Sequence, residues 1–387
     1  MTLDRCKNYL IASSILAGTI LGVGMFGLPY VFAKAGFLTA LLFLFICFFL
    51  VLTNHLLYGE ALLRTPGEHR FPGLARIYLG KWGVLLASLS VIISDAGILL
   101  AYLILGGQFM QNLIQAIGLP IGNGMSTVIF WLLGILGVTF GIGFIGISEM
   151  LSIILIIVFI VGFFILGAPH LQLASLMNFK VSQLFFPYGI LLFALSDGSA
   201  VPEIFGYFKK KKISKQNIDL KKPIIWGTIL PPILYLMFVL GAFGLLGQGA
   251  ESINIIPALM KIHPALGIAS NILGLILILS SYFIISLSYR KTLHIDIRCN
   301  KHISWLIPVL IPLLLFFLGI QNFIGIINFI GAVTLGIIIT MTVLIHRRSQ
   351  KQGQINPPYQ IKMSSPVRLI LIILLLTGVI IEIAKFF

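Results

Sequence analysis

The residues best able to bind a ligand through the chain itself lie between Gly18 and Tyr30, in the run GTILGVGMFGLPY. Four glycines and a proline interrupt an apolar segment that lipid would otherwise force into one continuous helix. Irregular backbone at membrane depth is tolerated only where it is buried in protein or lines a cavity. A broken helix offers free N–H groups at the start of its second half and free C=O groups at the end of its first. The N–H end suits a carboxylate and the C=O end an ammonium group or a metal cation. Glycine lets a ligand approach that backbone closely. Thr19, Gly22, Gly24, Met25 and Phe26 are therefore candidate ligand contacts.

A second interruption matches the first. The run Phe193 to Phe205 reads FALSDGSAVPEIF, and setting Pro202 on Pro29 aligns Asp197 to Ala200 with Gly24 to Gly27. Phe193, Ala194, Ser196 and Gly198 thus join the candidates, with carbonyls near Ala194 and Ser196 facing an ammonium group. Phe26 and Phe193 are candidates for a gate or a side-chain pocket. Two such breaks match both ends of a zwitterion without a side-chain ion pair. Packing glycines are the alternative, illustrated by the ridge Gly134, Gly137 and Gly141 in the fourth span.

Ionisable residues inside spans are costly and mark functional positions by default. Asp95 lies in the third span and Asp197 inside the second break, with Glu203 six residues on. No lysine or arginine lies deep in a span to neutralise them, and low dielectric disfavours a charged carboxyl. Both are candidates for proton coupling; a helix cap for Asp197 and a wet vestibule for Asp95 are the alternatives. Tyr102, seven residues after Asp95, shares its helical face. Ser280 and Ser281 could complete a sodium site beside the first break, since hard cations take oxygen ligands, or simply bond backbone carbonyls. Glu60, Glu149 and Glu382 fall at span ends, where solvated or capping roles are expected, and His55 reads as an interfacial, snorkelling histidine.

The elements that must position these residues follow from composition. Of 387 residues 59% are hydrophobic and only 10% charged, against roughly 25% charged in soluble domains. At about 20 apolar residues per crossing, eleven spans are expected, near 10–33, 37–60, 83–107, 126–146, 150–168, 183–207, 223–246, 266–289, 303–320, 322–345 and 367–384. The expected fold is an all-α polytopic membrane protein in one transmembrane domain over 1–387. Repeat one runs from about 10 to 168 and repeat two from about 183 to 346. One extra helix follows at about 367–384. Five spans begin with each break, and five is odd, so the second set enters the membrane inverted. Paired breaks in inverted halves point to a transporter's binding site. The first span reads as retained rather than as a cleaved signal.

The net charge of +15 is a matter of topology, not of nucleic-acid binding. With a cytoplasmic N-terminus, 22 of the 26 lysines and arginines fall on the inside, as the positive-inside rule requires. The run Lys209 to Lys212 reads as a topology anchor, with anionic lipid head groups as the alternative. The expected location is the cytoplasmic (inner) membrane, with the C-terminus outside. Cys6, Cys47 and Cys299 form no disulfide or metal pattern. No nucleophile–base or metal-ligand pairing argues for an enzyme, no cofactor is implied, and no regular polar stripe argues for a channel. A non-transporting nutrient sensor is a further alternative. The substrate's side chain and the oligomeric state are not written in the sequence.

The run Gly18 to Pro29 resembles the first-helix signature of the amino acid/auxin permease group, within the amino acid–polyamine–organocation superfamily. The nearest likeness is to the bacterial tyrosine, tryptophan and serine permeases. Phe71 to Trp82 resembles the amphipathic loop after their second helix, Ala101 to Gly107 their third helix, Ala194 to Glu203 their broken sixth, and Ser280 to Tyr282 their eighth. The resemblance implies a five-plus-five inverted repeat, alternating access, and an amino-acid substrate held at the two breaks. It implies cation-coupled import, by protons in the bacterial permeases and by sodium in some relatives. The fifth span, Met150 to Gly167, has no lysine, so a lysine standing in for sodium is not available.

Overall fold

A computed structural model of the chain describes residues 3–140, 145–196, 200–211, 217–247, 250 and 255–385, and every regular element among them is helical. In chain order these are α1 Leu3–Ile20, α2 Leu28–Ala35, α3 Phe37–Arg64, α4 Phe71–Ala116, α5 Asn123–Phe140, α6 Ile145–Gly167, the short α7 Leu173–Leu176, α8 Phe186–Leu195, α9 Ala200–Lys210, α10 Lys221–Leu246, α11 Ile255–Ile262, α12 Pro264–Lys291, α13 Lys301–Phe317, α14 Phe323–Phe329, α15 Gly336–Gln352 and α16 Ser365–Ala384.

Seven helices among the described residues are long and apolar enough to cross a membrane, or eight when a bent pair counts as one. That pair is α1 and α2, bent by 46°. Three of the eleven expected spans fall on shorter apolar helices: α5, α8 and α13. The glycine ridge expected in the fourth span runs to Gly141, which lies outside the described residues.

Both breaks follow from local sequence. Gly22 is extended (φ −117°, ψ −156°), Val23–Gly27 makes a 3₁₀ turn, and Pro29 sits in the first turn of α2. Proline suits that position because the first-turn N–H has no helical partner. The second break begins where α8 stops at Leu195 and Ser196 turns extended (φ −97°, ψ 130°). Asp197, Gly198 and Ser199 lie outside the described residues.

Packing ties the breaks to a scaffold. α10 packs along α1 and α6, α12 along α4, and α15 along α3 and α4. α8 packs on a π-helical turn, Ile330–Leu335. There Gly331 faces the carbonyl of Gly189, with no room for a β-carbon. α4 contains a bend at Gly80 (φ 75°), which separates the amphipathic segment Phe71–Leu79 from the third span. Only glycine adopts that φ without strain.

Two expectations need correction. His55 is fully buried, with Nδ1 3.2 Å from the Thr228 hydroxyl, because α10 covers that face of α3. Glu60 is fully buried, not solvated. It accepts from Arg64 Nε (2.8 Å) and the Ile361 amide (2.6 Å) and lies 3.0 Å from His346 Nε2. The segment 353–363 folds under α3 and supplies the caps: the amides of Gln354 and Ile355 donate to the Arg64 carbonyl. Glu382 is also buried and accepts from the Asn328 amide at 2.6 Å.

Candidate functional site

The two breaks meet. A β-carbon on Gly24 would lie 2.8 Å from the Ala194 α-carbon, so the backbones of the 3₁₀ turn and α8 touch. Around this contact lies a cavity of about 20 Å³ lined by Thr19, Ile20, Gly22, Val23, Gly24, Ile98, Tyr102, Phe193, Ala194, Ser196 and Ile285. Seven of these are residues that the sequence singles out. Tyr102 closes one wall, its hydroxyl lying 2.8 Å from where a β-carbon of residue 22 would stand. The Ser196 hydroxyl is buried and has no hydrogen-bond partner among the described residues. Buried polar atoms are normally satisfied, so this hydroxyl on the wall of a largely apolar cavity is available to a ligand.

Several expectations land elsewhere. Met25 and Phe26 are buried but do not line this cavity. The 3₁₀ turn directs Phe26 into an aromatic cluster, edge-on to Phe109 at 4.9 Å and Phe238 at 6.1 Å between centroids. The amides of Gly22 and Met25, expected to face a carboxylate, are engaged within the turn by Ile20 O (2.7 Å) and Gly22 O (3.3 Å). The Thr19 hydroxyl donates to Leu16 O at 2.9 Å. Ser280 donates to Leu277 O at 2.9 Å, and Ser281 is buried; from α12 it is Ile285 that reaches the cavity. Asp197 and Gly198 fall outside the described residues.

Asp95 borders a second cavity, of about 50 Å³, together with Asn54, Tyr58, Ser94, Ser288 and Pro202. Ile98 and Ser196 line both cavities, so the two lie side by side. Asp95, Ile98 and Tyr102 are spaced by three and four residues and form one face of α4. That face runs from the lysine- and arginine-rich end of the molecule to the breaks.

The basic end is closed by a polar network that sequence reasoning did not assemble. Arg70 pairs with Glu203 of α9 and donates to the Ser288 hydroxyl at 2.7 Å. Lys291 grips the same Glu203 at 2.9 and 3.0 Å. A π-helical turn, Thr292–Asp296, turns the Asp296 carboxylate onto the amides of Gly73 (2.8 Å) and Arg70 (3.2 Å). The network thereby ties the start of α4 to both α9 and α12. At the opposite end Tyr30, Lys34, Phe186, Asn328, Glu382 and Lys385 border an open cavity of about 680 Å³.

Sequence reasoning also missed Tyr235. Its hydroxyl lies 2.6 Å from Ile20 O and 2.9 Å from Ala194 O, bridging the ends of α1 and α8. The available signal was a tyrosine in mid-span, whose hydroxyl must find a partner when buried.

Comparison with known proteins agrees with this architecture. The fold matches the crystal structure of MhsT in complex with L-phenylalanine, with a TM-score of 0.70 over 98% of both chains at 17% identity. Glutamine transporter 2 of Aliivibrio fischeri is 23% identical over 382 residues, 96% of this chain and 97% of that protein. A low affinity tryptophan permease of Proteus vulgaris is 23% identical over 63% of this chain and 59% of that one. Tyrosine-specific transport system 2 of Haemophilus influenzae is 26% identical over 65% and 62%. The tryptophan/tyrosine permease family model matches residues 5–385. With its membrane-length apolar helices and a match over nearly its whole length, the chain belongs to the tryptophan/tyrosine permease family.

Proposed function

We propose that this chain is a secondary active transporter of the amino acid/auxin permease group that imports neutral or aromatic amino acids, coupled to protons. The observation that carries the reading is the one cavity shared by both helix breaks, with the Ser196 hydroxyl unpartnered among the described residues and Phe193 on its wall. The substrate carboxylate binds backbone at Gly24, and at Gly22 and Met25 once the turn that now engages their amides opens, and its ammonium binds the carbonyls near Ala194 and Ser196. The cavity has room for about one water, so an amino acid enters only when the helices part. That is the behaviour alternating access requires. Eleven spans in a five-plus-five inverted repeat, N-terminus cytoplasmic and C-terminus outside in the inner membrane, provide the two halves that rock. The frames aligned on Pro29 and Pro202, the bend in the first span and the positive-inside bias support this layout.

Asp95 and Asp197 are the proposed proton carriers. Asp95 borders the basic-end cavity, which shares Ile98 and Ser196 with the cavity at the breaks, so its access changes when that end opens. A second reading places sodium at Ser280 and Ser281; it requires the Ser280 hydroxyl to leave the carbonyl of Leu277 on its own helix, to which it now donates. Uptake of a panel of labelled amino acids by proteoliposomes, under imposed pH or sodium gradients, separates the two. Binding without uptake would identify a sensor, and indifference to every amino acid and both gradients would refute transport.

A further inference from the structure

α1 and α8 end against each other with their carbonyls converging. Each C-terminus carries roughly half a negative charge, and here two of them meet in buried protein. Oxygens so arranged are ligands for a hard monovalent cation such as sodium. The place is already filled: Tyr235 of α10 puts its hydroxyl 2.6 Å from Ile20 O and 2.9 Å from Ala194 O, on a side chain 1% exposed. Tyr235 does not line the cavity, whereas Ile20 and Ala194 do. It acts on a ligand only through those carbonyls.

We propose that the Tyr235 hydroxyl is a built-in substitute for an alkali cation at the junction of the two breaks. It holds the half-helices together with one covalently anchored proton, which it shares between two acceptors. The Ile20 carbonyl also accepts from the Gly22 amide at 2.7 Å, so it is the Ala194 carbonyl that keeps a lone pair for the substrate ammonium. No ion needs to bind beside the substrate for the site to assemble, so whichever cation drives transport binds elsewhere. This rests on the reading of the breaks as an amino-acid site.

The test uses full-length protein purified in detergent. Tyr235→Phe keeps the ring and removes the proton. Tyr235→Ser removes the ring and leaves an oxygen beside the two carbonyls; Tyr235→Asn serves the same purpose if the serine variant does not fold. Thermal melts are compared in sodium chloride and choline chloride. The serine or asparagine variant is expected to gain a sodium-specific stabilisation of about 2 °C or more beyond that of the wild type, as binding to the native state alone requires. Tyr235→Phe is expected to lose about tenfold in amino-acid uptake in either salt, since it removes the proton that ties the Ala194 carbonyl to that of Ile20. A folded Ser or Asn variant with no extra sodium response, or a Phe variant with wild-type uptake, overturns the proposal. Wild-type protein that takes up no amino acid would defeat the transport reading, yet the melts would still decide the role of Tyr235.

Discussion

Replacing Gly24 by alanine puts one methyl group into the contact between the two breaks. Its β-carbon would stand 2.8 Å from the α-carbon and 2.9 Å from the β-carbon of Ala194. Carbon atoms prefer about 3.5–4.0 Å, so the turn and α8 must separate by roughly 1 Å. The obstacle is backbone, which no rotamer change relieves. Overpacking of this kind costs about 1–3 kcal/mol. A displacement near 1 Å in a positioned site can cost about 10²-fold in rate. Removing the Ala194 methyl does not help, because its α-carbon remains in the way. Uptake kinetics in proteoliposomes, together with a melting curve, measure both effects. Gly162→Ala is the control: nothing lies within 4 Å of its β-carbon position, and alanine in a helix is favoured over glycine by about 0.5–1 kcal/mol. Gly24→Ala is expected to fold, melt lower and lose most of its uptake, with Gly162→Ala unimpaired. Wild-type KM and maximal rate for Gly24→Ala would show that the contact does not shape the site.

Gly22→Ala meets only the end of the Tyr102 side chain, so Tyr102→Phe should restore part of the uptake lost by Gly22→Ala, as a double-mutant cycle would register. Glu203→Gln removes the charge shared by Arg70 and Lys291; a loss of about 2 kcal/mol shifts the ratio of closed to open basic ends by about thirtyfold. Faster labelling of a cysteine at Ser94, in a background lacking the native cysteines, would report that opening. Glu60→Ala strands Arg64 in buried surroundings and should cost about 3–5 kcal/mol, seen as a lower melting temperature with KM unchanged in what folds. Gly331→Ala runs into the Gly189 carbonyl and should prevent accumulation of folded protein, scored by size-exclusion of a fluorescent fusion.

What was legible in the sequence was local. Glycines and prolines at membrane depth announced where helices stop, because backbone polar groups cannot be left unpaired there, and they marked residues of both breaks before any contact was visible. The spacing of Asp95 and Tyr102 gave a common face of α4, with Ile98 between them, because helical period is a property of the chain alone. Side-chain aim was not legible: Phe26 leaves the site because a 3₁₀ turn, not a straight helix, carries it. Long-range pairing was equally hidden. Glu60 looked solvated from its place at a span end, and it is buried by His346 of α15 together with the returning segment 353–363. Arg70, Glu203 and Lys291 are far apart in sequence, and Tyr235 is 215 residues from Ile20; no periodicity links such positions. The serines of α12 showed residue type without partner, and type alone does not separate a cation ligand from a hydroxyl bonded to its own helix.

The central claim is that backbone at both breaks recognises both charged ends of an amino acid. Competition against the best labelled substrate, by its methyl ester and by its N-acetyl derivative, tests it most directly. Each derivative keeps the side chain and loses one end, and each is predicted to compete at least about tenfold more weakly than the free amino acid, a loss of about 1.4 kcal/mol per end. Derivatives that compete as well as the amino acid itself would contradict the account.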